Sequence, residues 1–491
     1  MNEYVLGIDI GSGSVKLTLL SREGVIAGVA GAEYPTYYPN VGYSEQDPED
    51  WCKAFGEAFR ALLRESGVKK EEIKALALDA ATHTAVLLGE DLRPIRRAIL
   101  WTDQRSVEEV RWIKEHLSDV IAAQVLNTPT TVWTLPQFLW LRAHEPEVWS
   151  RIRHIVFAKD YLRFRFTGKL ATDNIDAMGS MFYDAVNERW SEELLTAGAI
   201  DPAWLPPEVL QPEEVAGSVT RAAAEEFGLA EGTPVLCGTT DTVMEMVAAG
   251  SVSPGNGTVK LATAGRICVI TDRPIDSPFV FNYRHVVRGL WYPGTATASC
   301  ANSYRWYRDA LGRAEYEELN RGAEEIPVGS DGLMFHPYIN GELTPYNDPL
   351  LKGSYTGISA HHSTAHFTRA TLEGVAFSLK DCMLTTEALG MKMNRVRIIG
   401  GGAKGALWRQ IVTDILNVPM EKTKVDDSSF GTAMLAAVGL QWFPSYEAIT
   451  EKCIQISSVS EPTPENVEKY AALFERYKKI HDALAPIYDR T

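Results

Sequence analysis

Two short stretches far apart in the chain share one plan, and that plan constrains the fold more than any other feature. The first is YVLGIDIGSGSVKLTLL, residues 4–20. An apolar run ends at Asp9 and Ile10, a Gly/Ser turn runs from Gly11 to Ser14, and a second apolar run leaves it. The pattern predicts a β-hairpin over residues 4–20, with a third strand near Val25. About 250 residues later, GTVKLATAGRICVITD repeats the order: strand, small-residue turn at Thr263-Ala264-Gly265, strand. Two hairpins of one design at that spacing imply two halves of related architecture. A chain of 491 residues also exceeds what one ordinary core accommodates. The turn-rich SVSPGNG, residues 251–257, marks the crossing, giving domains over residues 1–250 and 251–491.

The elements between fit an α/β chain. DPEDWCKAFGEAFRALLRESG predicts an amphipathic helix, with Asp47 as cap, Pro48 in the first turn and Gly67 at the end. Trp51, Phe55, Phe59, Leu62 and Leu63 share its apolar face. IKALALDA reads as a buried strand. Val235 to Cys237 form another, running through Gly238-Thr239-Thr240 into a helix that starts near Asp241. Val396 to Ile399 form a third, followed by a turn at Gly400-Gly401-Gly402 and a helix from about Leu407. Strands alternating with helices imply mixed or parallel sheets covered by helices.

Charge and cysteine usage exclude several function classes. The formal net charge is −16 and no Lys/Arg stripe offsets it, so neither nucleic acid nor an anionic membrane is an expected partner. Six scattered cysteines without a CxxC argue against a zinc site or a disulfide framework and suit a reducing cytoplasm. Asp9 interrupts the first apolar stretch, so no signal peptide is expected, and no apolar run is long enough to span a membrane.

Three glycine-rich turns leave backbone N–H groups open to an anion: Gly11 to Ser14, Thr263 to Gly265, and Gly400 to Gly405. GxxxxGK[ST] is absent, and GIDIGSG lacks both GxGxxG and a following helix. Asp9, between Ile8 and Ile10, is costly to desolvate without a partner, and a metal ion or an incoming phosphate complex supplies one. Asp241 follows a strand in the same way, although a helix N-cap is the ordinary use of such an Asp. His83, in LDAATHTAVLLG, reads first as a hydrogen-bonded turn histidine. Trp101, Asp103, Gln104 and Arg105, in AILWTDQRS, suit a polyol pocket and equally an ordinary loop. His361 and His362 are adjacent, point apart on regular structure and have no carboxylate at helical spacing, so they are not read as a metal pair.

Taken in order, these segments resemble the FGGY family of carbohydrate kinases, in its xylulokinase and gluconokinase neighbourhood, nearly end to end. GIDIGSGSVK resembles the family's first phosphate hairpin, DxGTxSxK. ATHTAVLL and ILWTDQRS resemble its sugar loops. TLPQFLWLRAHEPEVW resembles the first family signature, and GSYTGISAHHSTAHFTRATLEG the second. GGGAKGALWRQIVTDIL is similar to the adenosine segment. Thr82 stands where Met is usual, Thr242 for Asn, Gln137 for Lys and Gly405 for Ser, and the second phosphate turn reads Ala262-Thr263-Ala264-Gly265 in place of GTSG.

The resemblance implies two actin-like, RNase H-like ATPase domains with a central cleft, the first on the sugar side and the second on the nucleotide side. It implies ATP-dependent phosphorylation of a small sugar, with D-xylulose leading and gluconate, ribulose or another polyol left open by Thr82 and Thr242. Asp241 takes the place of the catalytic base, and Asp9 that of the carboxylate that holds Mg²⁺ through water. Thr82, His83, Trp101, Asp103, Asp241 and Thr242 fall on the substrate side. Gly11, Ser12, Gly13, Ser14, Lys16, Thr263, Ala264, Gly265, Gly401, Gly402 and Ala403 fall on the ATP side. The expected partners are the sugar and ATP, with a homodimer plausible and domain closure hinged at residues 251–257. Two other classes stay open: an actin-like ATPase switch and a sugar-binding regulator with a dead site.

Overall fold

The first hairpin forms where its sequence places it. β1 (Tyr4–Ile10) and β2 (Ser14–Ser21) pair antiparallel, and β3 (Ile26–Glu33) lies beyond β2. β1 is buried from Val5 to Ile10, which explains its unbroken apolar run. β4 (Ile73–Ala80) is parallel to β1 on its other side. β5 (Val215–Ser218) and β6 (Pro234–Leu236) complete the sheet in the order β3-β2-β1-β4-β6-β5, and β7 (Thr239–Thr240) pairs with the end of β4. The computed structural model describes residues 3–488.

The second hairpin opens a sheet of the same design. β8 (Asn256–Leu261), β9 (Gly265–Val269) and β10 (Gly294–Thr297) form an antiparallel meander. β11 (Arg395–Ile399) and β12 (Met420–Thr423) then add in parallel, and β13 (Ile456–Ser460) closes the edge antiparallel. The order β10-β9-β8-β11-β12-β13 repeats the parallel and antiparallel pairing of the first sheet, except that its edge strand follows its neighbour in the chain, where β5 precedes β6. The helix Pro48–Ser66 has the expected caps: the Asp47 side chain accepts from Glu49 N, and Gly67 closes it at φ 69°. The six cysteines are free and buried. Among the described residues no helix is long and apolar enough to cross a membrane.

Each sheet belongs to its own compact unit, and the units are not two contiguous halves. The first holds residues up to Val252 together with Tyr283–Gly289 and Val425–Ile454; the second holds Ser253–Asn282, Leu290–Lys424 and the residues from Gln455 onward. The crossing at Val252 lies in the turn-rich tract 251–257, but two later segments return to the first unit, which a single cut at residue 250 does not capture. The return rests on close packing. The helix Ser428–Gly439 is buried along nearly its whole length and lies against β1. A Cβ at Gly7 would sit 2.0 Å from the Ser429 carbonyl oxygen and 2.4 Å from Ala433 N. On another face of that helix, a Cβ at Gly431 would sit 2.1 Å from the Met244 carbonyl oxygen.

Backbone on both sides leaves no flexible atom to give way at Gly7. Gly7→Ala is therefore expected to destabilise the protein by about 3 kcal/mol, at the upper end of overpacking costs. Urea unfolding of the variant beside its parent measures this, and a loss under about 1 kcal/mol contradicts the packing described.

Candidate active site

The register of the first sheet assembles the site. Asp9 on β1 faces Lys16 across the hairpin and Asp79 on β4. Asp79 in turn pairs with Thr239 on β7, two residues before Asp241. The turn that delivers Asp241 is tight: Gly238 has φ +75° and a Cβ there would lie 1.8 Å from the Leu78 carbonyl oxygen. Asp241 begins the helix Asp241–Ala248, whose N-cap is Thr240. It thus lies inside the first helical turn rather than at the cap, where the helix dipole favours a carboxylate. Thr242 Oγ1 donates to Asp241 Oδ1 at 3.2 Å.

The helix Ser428–Gly439 brings three further groups. Its N-cap Asp427 accepts from Lys16 Nζ at 2.8 Å and from Ser429 N at 3.1 Å. Ser429 Oγ and Thr18 Oγ1 are hydrogen-bonded at 2.7 Å. Thr432 Oγ1 donates to Asp79 Oδ2. Lys16 Nζ also reaches Asp9 Oδ2 at 3.9 Å. Asp9 Oδ1 and Asp79 Oδ1 are both buried and receive no hydrogen bond from any donor group of the chain. A proton shared between the two carboxyls, a buried water or a cation can serve them.

This crowding of charge shows in the acidities. Burial, then the charge of Asp241, push Asp9 up to about 7 against the opposing pull of Lys16. Burial and the Asp9 charge raise Asp79 well above the usual carboxylate range. Burial also acts to raise Asp427, but the Lys16 hydrogen bond and charge outweigh it and hold Asp427 low.

A second network, fully buried, anchors the strand that leads to Asp241. Lys159 Nζ contacts Asp160 at 2.5 Å, Asp173 at 2.8 Å and Asp176 at 3.2 Å. Arg163 donates to the Cys237 carbonyl at 2.6 Å, and Thr239 Oγ1 donates to Asp173 Oδ1 at 2.9 Å. The corner Cys237-Gly238-Thr239 is thereby held from behind.

His83 and Thr82 sit together on the same unit. His83 has a left-handed backbone, φ 71°, and its Nδ1 lies 2.7 Å from the Gly179 carbonyl. Nδ1–H is therefore the donor, and Nε2 accepts from Tyr283 OH at 3.1 Å. The ring packs edge-on to Trp133 at 4.5 Å. Gly179 permits the approach, since a Cβ there would lie 2.9 Å from the Thr82 methyl. Trp101, 37% exposed, shares a narrow crevice with Gly11, Ser12, Ala81 and Thr84. Asp103 is engaged: its two oxygens accept from Arg105 N, Nε and Nη2 and from Ser44 N at 2.6–2.9 Å. It ties down the loop that carries Trp101.

At the first turn Gly11 N donates to Ser14 O at 3.1 Å, while Ser12 and Gly13 are exposed. In the second unit, Thr263 and Ala264 are exposed at the β8–β9 turn, and Gly265 is packed beneath it, where a Cβ would meet Thr297 Cγ2 at 2.6 Å. Gly401 is exposed with open space around it. Ala403 belongs to the core; its N–H donates to Gly400 O and its carbonyl accepts from Arg409 at 2.7 Å. Near His361 a carboxylate does arrive, from distant Asp331, 3.2 Å from His366 Nε2 and 4.0 Å from His361 Nε2. Ser363 N–H donates to His366 Nδ1, so Nε2 carries the proton toward Asp331. This is a hydrogen-bonded surface cluster.

Asp79, Asp427, Thr432 and Tyr283 were not expected from the sequence. Asp79 carried a readable signal, since it ends the apolar run IKALALDA as Asp9 ends its own.

The model of the FGGY family of carbohydrate kinases, N-terminal domain, matches residues 4–248, and that of the C-terminal domain matches residues 255–440. A xylulose kinase of Bacillus subtilis is 33% identical over 484 residues, covering 98% of this chain and 97% of that protein. One from Lactococcus lactis is 33% identical over 483 residues, 97% and 96% of the two chains. Among solved structures, a xylulose kinase from Rhodospirillum rubrum superposes with a TM-score of 0.89 at 27% identity, covering 99% of this chain and 100% of that one. A gluconate kinase from Lactobacillus acidophilus gives 0.91 at 26% identity, covering 99% of each.

The raised pKa of Asp9 has a consequence for stability. The folded chain binds that proton more tightly than the unfolded chain, so no penalty exists below the ordinary value of 3.8, and stability falls as pH rises through the window up to about 7. Asp9→Asn, freed of divalent ions by a chelator, is therefore expected to melt several degrees above the parent near pH 8, with the gap closing toward pH 4. A pH-independent gap in the two melting curves contradicts this.

Proposed function

This chain belongs to the FGGY family of carbohydrate kinases, and we propose that it transfers the γ-phosphoryl group of ATP to a hydroxyl of D-xylulose. The observation that carries the choice of sugar is full-length identity of about 30% to relatives named xylulose kinase. Gluconate is the second reading, favoured by the equally extensive structural likeness to a gluconate kinase.

Asp241 is the general base. It is acidic, sits at the start of a helix and is braced by Thr242. Proton acceptance from the incoming hydroxyl contributes roughly 10²–10⁴-fold. Thr82, His83, Trp101 and Thr242 line the sugar side, with Tyr283 orienting the His83 ring. Asp103 contributes by fixing the Trp101 loop through Arg105.

Ser12, Gly13, Ser14 and Lys16 form a phosphate turn on the first unit, and Thr263, Ala264 and Gly265 form one on the second. Gly401 and Gly402 receive the adenosine, on a turn shaped by Ala403. Asp9 fits a magnesium ion: it is a hard oxygen donor, and its buried Oδ1 receives no hydrogen bond from a donor group of the chain. When bound, the ion neutralises phosphate charge. Lys16, shared between Asp9 and Asp427, supplies the positive charge that the chain itself brings to this end of the sheet.

An ATP-coupled screen over ketoses, polyols and aldonates tests the reading. D-xylulose is expected to lead every other acceptor in kcat/KM by about tenfold or more. A lead for gluconate transfers the assignment to it, and ATP turnover that ignores all sugars overturns the kinase reading. Asp241→Asn is expected to lower kcat by about 10²-fold or more while sugar and ATP still bind. Turnover within threefold of the parent removes Asp241 from the base role.

A further inference from the structure

We propose that Asp79 is a second carboxylate for the divalent cation, so that Asp9 and Asp79 together hold Mg²⁺ or Mn²⁺ before any nucleotide arrives. The inference rests on the kinase reading of the same site and adds a ligand to it. Asp9 and Asp79 are register partners on adjacent parallel strands, so their side chains leave the sheet on the same face, about 4.8 Å apart at the backbone. Both are almost completely buried, 3% and 0% exposed. Each keeps one buried oxygen, Oδ1, that no donor of the chain serves other than the opposite carboxyl when protonated.

The remaining oxygens are already oriented. Thr432 Oγ1 donates to Asp79 Oδ2, and Lys16 faces Asp9 Oδ2. A hydroxyl on the far oxygen of a carboxylate is the usual means of aiming its near oxygen at a metal. Lys16 does not neutralise the pair. Its shorter contact is to Asp427, 2.8 Å against 3.9 Å to Asp9, and among the described residues no cationic side chain pairs with Asp79. The charge of Asp241 also acts on both carboxylates. Two hard, unserved oxygens at the head of a negatively charged cluster match a small divalent cation that keeps the rest of its shell as water.

With Asp9 alone acting through water, the cation would arrive with ATP. With two direct carboxylates, the protein takes it up unaided. Electron paramagnetic resonance of Mn²⁺ with nucleotide-free protein distinguishes these cases, because bound ion leaves the sharp signal of free Mn²⁺. The parent is expected to bind one Mn²⁺ per chain, and Asp79→Asn and Asp79→Ser each to weaken that binding by about tenfold or more, as does Asp9→Asn. If the parent leaves Mn²⁺ free, or if either folded Asp79 variant binds as the parent does, the proposal is wrong and the two carboxyls hold a shared proton only. Sugar-dependent ATP turnover measured on the same parent sample separates the two failures: turnover without nucleotide-free Mn²⁺ binding removes this inference alone, whereas absent turnover strikes the kinase reading.

Discussion

The contact between Gly7 and the backbone of the helix Ser428–Gly439 is the constraint on which the site depends. A strand and a helix rarely approach to within a missing Cβ. Here they do so beside Asp9, and the approach carries Asp427, Ser429 and Thr432 against β1, β2 and β4. Without it, Lys16 loses its short ion pair and Asp79 its hydroxyl. Glycine at position 7 is thus a requirement of geometry, since any side chain would push the helix off the sheet and its polar groups with it.

Electrostatics then does the opposite of stabilising. Asp9, Asp79, Asp241 and Asp427 gather at one end of the sheet, and Lys16 meets only two of them. Buried carboxylates without partners oppose folding. The structure tolerates the arrangement because its cores are large and continuous: the apolar residues of β1, β2, β4 and the helix Pro48–Ser66 form one cluster. The cost is confined to that end of the sheet.

Much of this could be read from the residues. The two hairpins were legible because both strands of each are buried and the turns between them are made of small residues. The helix Pro48–Ser66 was legible because its caps, Asp47 and Gly67, are local in sequence. Asp241 was placed at the right corner, although Thr240 rather than Asp241 proved to be the cap. What escaped was everything decided by distant pairing. Thr432 meets Asp79 across 353 residues, and Lys16 meets Asp427 across 411. No local pattern announces either. Asp103 looked like a pocket residue because a carboxylate beside Trp and Arg suits a polyol; its neighbour Arg105 occupies it instead.

The return of Val425–Ile454 to the first unit bears on how the protein is made. The N-terminal sheet is synthesised early, with β1 to β7 complete by residue 240. Yet the helix that covers β1 emerges from the ribosome nearly 190 residues later. Until then Gly7, Asp9 and Asp79 lie under no lid of their own, and an apolar sheet face waits for its cover, a state prone to capture by chaperones or by other nascent chains. A chain that terminates after the second sheet's parallel strands would carry both hairpins and still lack Asp427 and Thr432 beside Asp9 and Asp79. The Lys16–Asp427 ion pair and the hydroxyl on Asp79 are therefore among the last contacts of the first unit to become possible.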